Sequence, residues 1–229
     1  MQFLILAFTA AVTVGAYLLA RHLYLKYHHP LLNIVLVGTA IVIATLLVCR
    51  ISYDQYLPAR NVLTFLLGPA TVALAVPLYR NRRLLRCYLT AILVGVISGA
   101  AISMVTAGLI ARLGGLNSQL IASLVPKSVT VAFAIDIAQI NGGNPALTVA
   151  FVVATGTLGS IFGPVFLTWS GVQDPVSRGL ALGTVSHGQG TAMALLEGEE
   201  QGAMAGLAMA LAGIVTAVLA PLLIPLLTG

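Results

Sequence analysis

Apolar positions fall into long unbroken runs in the first half of the chain and interrupted ones in the second. The unbroken runs cover residues 3–20, 31–49, 61–79 and 87–111. Each holds about 18–25 residues, enough to cross a hydrocarbon core of roughly 30 Å at 1.5 Å per residue. They predict four N-terminal membrane helices. The apolar letters are continuous rather than alternating, which argues against a β-barrel.

The second half carries two broken runs. Residues 116–125 are interrupted by Pro126-Lys127-Ser128-Val129-Thr130 before the run resumes over 131–139. Residues 179–185 are interrupted by Ser186-His187-Gly188-Gln189-Gly190-Thr191 before 192–196. A long uncharged run follows each, 147–168 and 202–227, and no charge occurs between Asp136 and Asp174. Polar landmarks recur in the same order. Thr130 precedes Asp136 as Thr191 precedes Glu197, and Gly163-Pro164 matches Ala220-Pro221. Residues 116–168 and 176–228 thus read as two repeats.

Breaking a helix at membrane depth frees backbone groups that hydrocarbon cannot satisfy, so such breaks line wet cavities or pack in protein. Paired breaks in two repeats point to a transporter's binding site. Each leg is about 9–13 residues, roughly 14–20 Å of helix, or half a bilayer. The segments are therefore either crossing helices unwound at the middle or re-entrant hairpins with tips at the midplane. Hairpins make the repeats inverted and place the loop 170–178 on the cytoplasmic side.

Composition sharpens the class. Of 229 residues only 7% are charged and 59% are hydrophobic, and the mean hydropathy is +1.03. A soluble chain runs near 25% charged, so this chain cannot coat itself for water. The reading is an all-α polytopic membrane protein of roughly seven to nine segments. The net charge of +5 does not indicate nucleic acid. Arg80, Arg82, Arg83 and Arg86 cluster between two apolar runs, and Arg21 and Lys26 between two others, which is the positive-inside pattern. Those two loops are expected in the cytoplasm and both termini outside, with Asn81 as a labelling position. Cys49 and Cys87 lack metal-like neighbours and read as small hydrophobes.

Candidate chemistry sits at the two breaks. Lys127 is an ammonium at mid-bilayer, which costs about 2.5–3.5 kcal/mol on insertion scales. It binds a substrate carboxylate, or it pairs with Asp136 or Glu197. His187 titrates near neutral pH and suits proton coupling or a bond to a carboxylate. Its structural alternative is a bond to a backbone carbonyl. Ser128, Thr130, Ser186, Gln189 and Thr191 supply hydroxyls and an amide for an anion cradle, or they cap helices. Asp136 is a second coupling candidate. No metal-ligand spacing, nucleophile triad or phosphate loop is present, so neither enzyme nor cofactor is expected.

The motifs Pro126-Lys127-Ser128-Val129-Thr130, Asn144-Pro145-Ala146-Leu147, Gly179-Leu180-Ala181-Leu182-Gly183-Thr184, Ser186-His187 and Gly190-Thr191 resemble the LrgB/CidB family. So do Ile51-Ser52-Tyr53-Asp54 and the stretch 67–79. The resemblance covers nearly the whole chain. It departs at Val131-Ala132, Asp136, Gly188-Gln189 and Met193. The family includes partners of small LrgA or CidA holin-like proteins and half of a plastid glycolate/glycerate transporter.

The resemblance implies one of two functions. The first is a secondary carrier of small 2-hydroxy or 2-oxo monocarboxylates (glycolate, glycerate, lactate, pyruvate), with a proton expected as the coupling ion because no divalent-cation cluster is present in the sequence. The second is a holin-like regulator of murein hydrolase export and lysis. The expected layout is a scaffold over residues 1–112, forming a homodimer surface, and an elevator-like transport unit over 113–229. The expected location is the bacterial inner membrane, with an LrgA-like protein as a further partner.

Overall fold

The computed structural model describes residues 2–27, 29, 32–66, 69, 72–73, 75–80 and 82–228. The described chain is helical and divides into two compact units, Met1–Ala75 and Val76–Gly229.

The first unit contains α1 (Gln2–Tyr27), α2 (Ile34–Val48) and α3 (Tyr53–Phe65). Asn33 starts α2 by accepting hydrogen bonds from the Val35 and Leu36 amides. A reciprocal Ser52–Gln55 capping box starts α3, satisfying amides that a helix start leaves free. Gly38 on α2 lies beside Ala16 and Ala20 of α1, small residues that let helix backbones approach. Thr13 and Tyr56 share a 3.2 Å hydrogen bond between α1 and α3.

Three boundaries differ from the hydrophobic pattern. The first helix runs on to Tyr27, so Arg21 and Lys26 occupy its final turns rather than a loop; a long basic side chain at a helix end can reach water. The expected loop 50–60 is largely helical, because the capping box starts α3 before the apolar run begins. The run 61–79 is not one helix, since α3 ends at Phe65 and a short helix α4 spans Ala75–Arg80. Asn81 lies outside the described residues.

The second unit continues with α5 (Arg82–Cys87), α6 (Leu89–Leu113), α7 (Ser118–Leu124), α8 (Val131–Ile140), α9 (Pro145–Trp169), α10 (Pro175–Glu197) and α11 (Glu199–Thr228). Four described helices are long and apolar enough to cross a membrane: Leu4–Tyr27, Leu89–Leu113, Pro145–Trp169 and Glu199–Thr228. Two further apolar helices, Ile34–Val48 and Val131–Ile140, are shorter.

Both broken runs fold back on themselves. In α10 the helix is interrupted at His187, with φ 42° and ψ −129°. Beyond it the chain reverses, so that a Cβ on Gly190 would strike the Leu182 carbonyl. At the open end Arg178 and Glu197 meet at 2.7 Å. In the first segment α7 and α8 flank the turn at 125–130, and the chain after α8 returns to α7. The Asn144 amide donates to Ser123 Oγ at 2.7 Å, and Gly143 packs against the backbone of Ala122 and Ser123.

The hairpins enter from opposite ends of the unit. At one end Ala111 of α6, Ile121 and Ala122 of α7, and Ile224 and Leu227 of α11 share a core. At the other end Ile92 and Val96 of α6, Val176 of α10, and Ala203 and Met204 of α11 share another. Arg80 and Glu199, 3.5 Å apart, belong to this second end. The long helix α9 connects the open ends of the two hairpins.

Candidate functional site

The two turns arrive at the same height. Ser103, near the middle of α6, bonds Lys127 and Ser128 of the first turn. One helical turn away on α6, a Cβ on Gly99 would lie 3.2 Å from Thr184, next to the second turn. The last helix repeats the relationship: Met209 Sδ is 3.8 Å from Thr191 Oγ1, and Gly213 faces the Phe133 ring of α8. Residues four apart on a helix stand about 6 Å apart along its axis, so the two turns lie at a similar height, near the middle of α6 and α11.

Lys127 Nζ donates to Ser103 Oγ and Ser128 Oγ, each at 3.2 Å, and the two hydroxyls lie 2.9 Å apart. Neither ion pair among the described residues includes Lys127. Glu197, one acid that would have neutralised it, is held by Arg178 at the open end of the second hairpin. Asp136, the other, is exposed on α8 and is not brought to the turns. An ammonium has three donors, and two hydroxyls leave one N–H and a full charge unmatched.

His187 is buried, and its Nε2 lies 3.1 Å from the Val152 carbonyl of α9. A carbonyl only accepts, so Nε2 carries the proton and Nδ1 is the free position. One nitrogen is thus structural, as the alternative reading had it, and the other is available. The ring fits because α9 has no side chain at Gly156, where a Cβ would lie 2.7 Å from the imidazole. Gly159 likewise makes room for Ser186. The backbone of His187 lies at positive φ, a costly conformation for a residue with a side chain. Thr191 Oγ1 donates to the His187 carbonyl at 2.9 Å and steadies that turn.

Other polar groups at the turns make no hydrogen bond within the described protein. Thr130 is the N-cap of α8 without a side-chain cap bond. Gln189 Oε1 is buried without a partner. Elsewhere Ser98, Thr106, Thr148 and Thr168 bond carbonyls of their own helices, the ordinary solution for a hydroxyl in an apolar helix. A groove of about 530 Å³ runs from the arginine-bearing end toward the turns, between Tyr88, Gly95 and Gly99 on one wall and Asp174, Ser177 and Thr184 on the other.

The structure therefore brings Lys127, Ser128 and Thr130 together at one turn, and Ser186, His187, Gln189 and Thr191 at the other. Sequence reasoning missed Ser103, one of several scattered hydroxyls in an otherwise apolar helix with no motif around it. It also missed the accommodating glycines of α9 and the Arg178–Glu197 clasp.

Four long apolar helices among the described residues, with two broken ones that carry a cation at one turn and an imidazole at the other, define a multi-pass helical membrane protein. The chain belongs to the LrgB-like family, whose model matches residues 13–226. It is 35% identical over 213 residues to Holin-like protein CidB of Staphylococcus epidermidis, covering 93% of each chain. It is 37% identical over 213 residues to the Bacillus subtilis protein YxaC, again covering 93% of each. Identity to Holin-like protein CidB of Staphylococcus aureus is 34%, with the same coverage. No solved structure matches.

Proposed function

We propose that this protein is a secondary carrier of small 2-hydroxy or 2-oxo monocarboxylates such as glycolate, glycerate, lactate or pyruvate, with a proton as coupling ion. The observation that carries this is Lys127, a half-buried cation in the first turn whose hydrogen-bond partners among the described residues are two hydroxyls and no carboxylate. A buried charge needs a counter-charge. A substrate carboxylate supplies it, with Thr130, Ser128 and the start of α8 completing an anion site. His187 Nδ1 is an acceptor when neutral and a donor to a carboxylate when protonated, which links proton and anion binding. The groove on the arginine-bearing side serves as the entry, and by the positive-inside rule that side is cytoplasmic.

In this reading residues 116–168 and 176–228 are inverted repeats, and residues 113–229 move as an elevator against a scaffold over 1–112. The location is the bacterial inner membrane, with a homodimer as the working unit and no catalytic chemistry.

The relatives' names favour the second reading. CidB is called holin-like, and none of the names cited above mentions a carboxylate. The comparisons therefore speak for a holin-like protein more than for any named substrate; in that reading the protein regulates hydrolase export and acts with an LrgA-like partner. The geometry speaks for a carrier, because the polar groups gather at two turns rather than lining a wide lumen. Proteoliposomes separate the two: a carrier takes up labelled glycolate or pyruvate and retains a large entrapped dye, whereas a holin-type pore releases the dye.

A further inference from the structure

Among the described residues, one buried side-chain polar atom lacks any partner: Gln189 Oε1. Its amide carbon packs on α9, where a Cβ at Gly156 would lie 3.1 Å away, beside the His187 ring. The orphan acceptor is thus part of the second turn, two residues from the imidazole whose Nδ1 is free. A buried acceptor without a donor is a defect that folded proteins rarely keep without a function.

We infer that Gln189 is a specificity-determining residue that selects an anion carrying a hydroxyl beside its carboxylate, a 2-hydroxy acid, over the corresponding 2-oxo acid. This rests on the carrier reading. A 2-hydroxy acid donates its O–H to Oε1 and can accept from the amide nitrogen. A 2-oxo acid has no hydroxyl hydrogen. It can accept from the nitrogen but leaves Oε1 buried and unpaired. Sites built to bond a substrate hydroxyl reject analogues lacking it because their own polar groups are then stranded. Closure of the turn over an empty site or an oxo acid keeps the orphan, whereas closure over a hydroxy acid removes it.

The test compares lactate with pyruvate, which differ only at this group and of which the second stays mainly in its oxo form in water. Uptake of labelled lactate into proteoliposomes is measured against unlabelled lactate or pyruvate, for the unaltered protein and for Gln189→Leu. The unaltered protein should prefer lactate by about tenfold or more, and Gln189→Leu should reduce that preference at least severalfold, chiefly by weakening lactate. If Gln189→Leu does not assemble, Gln189→Met, closer in shape, takes its place. An unaltered preference in the variant, or a preference of the parent protein for pyruvate, overturns the role of Gln189 while leaving the carrier intact. Absence of protein-dependent uptake of either acid overturns the carrier reading itself, and the selectivity with it.

Discussion

The guanidinium of Arg178 grips the carboxylate of Glu197 with two parallel bonds, Nε to Oε2 at 2.8 Å and Nη2 to Oε1 at 2.7 Å. The residues are nineteen apart in sequence. In a straight helix they would stand about 28 Å apart, so the contact shows that the second broken segment is a hairpin. The same guanidinium also reaches Thr168 Oγ1 and the Val172 and Pro164 carbonyls, tying the open end of the hairpin to the end of α9. Glu197 raises the affinity of Arg178 for its proton, so the guanidinium stays charged.

Arg178→Ala should lower stability by on the order of 2–4 kcal/mol, because it leaves a half-buried carboxylate without its partner. Glu197→Gln should cost less. The exchange Arg178→Glu with Glu197→Arg should recover part of the loss. Thermal unfolding of the purified protein in detergent checks all three.

Asp174 caps the start of α10. Its carboxylate accepts from the Ser177 amide at 2.8 Å and hydroxyl at 2.7 Å. Those bonds hold its pKa below the usual carboxylate value. A depressed pKa means stability that is present above the unfolded value, near 3.9, and lost as pH falls through the folded value. Asp174→Ala should cost about 1 kcal/mol at neutral pH. The difference between the two proteins should stay constant down to about pH 5 and vanish in stronger acid. Unfolding curves at a series of pH values measure it.

His187 combines a positive φ with a buried ring. Both His187→Ala and His187→Gly lose the bond to Val152, but only glycine adopts the backbone without strain. The glycine variant should be more stable than the alanine variant by about 1 kcal/mol, and both should fail to transport. Equal melting temperatures would remove the backbone strain.

Gly159→Ala should push the second turn off α9, because the new methyl occupies the place of Ser186 Oγ. Overpacking of this kind costs about 1–3 kcal/mol. Ser186→Gly in the same chain should restore the melting temperature, although not the contribution of the serine to the site.

Much of the fold was legible in the sequence, for physical reasons. A run such as 87–111 is uncharged and mostly apolar, and hydrocarbon permits little but a helix there. The breaks announced themselves through Pro126-Lys127 and through Gly188 and Gly190, residues that a continuous membrane helix does not favour. The choice between hairpin and crossing helix was open, because Arg178 and Glu197 declare their pairing only once the chain reverses. The apolar run 61–79 misled, since capping at Ser52 and not hydropathy sets where α3 begins. Within the site, Lys127 and His187 stood out as titratable groups in apolar surroundings. Ser103 did not, because one serine in a membrane helix usually bonds its own backbone. Asp136 and Glu197 occupy matching places in the repeat yet differ in the structure: one is exposed and the other is clasped by an arginine.

The central claim is that Lys127 holds its charge for a substrate carboxylate. The most direct measurement is uptake of labelled glycolate or pyruvate into dye-loaded proteoliposomes, with and without a pH gradient, for the unaltered protein and for Lys127→Ala. The result expected is saturable, proton-stimulated uptake with the dye retained, and loss of uptake in a Lys127→Ala protein that assembles normally; removing a lone counter-charge from an anion site costs several kcal/mol, and each 1.4 kcal/mol is tenfold in affinity. Dye release, or a well-assembled Lys127→Ala protein with undiminished uptake, would contradict it.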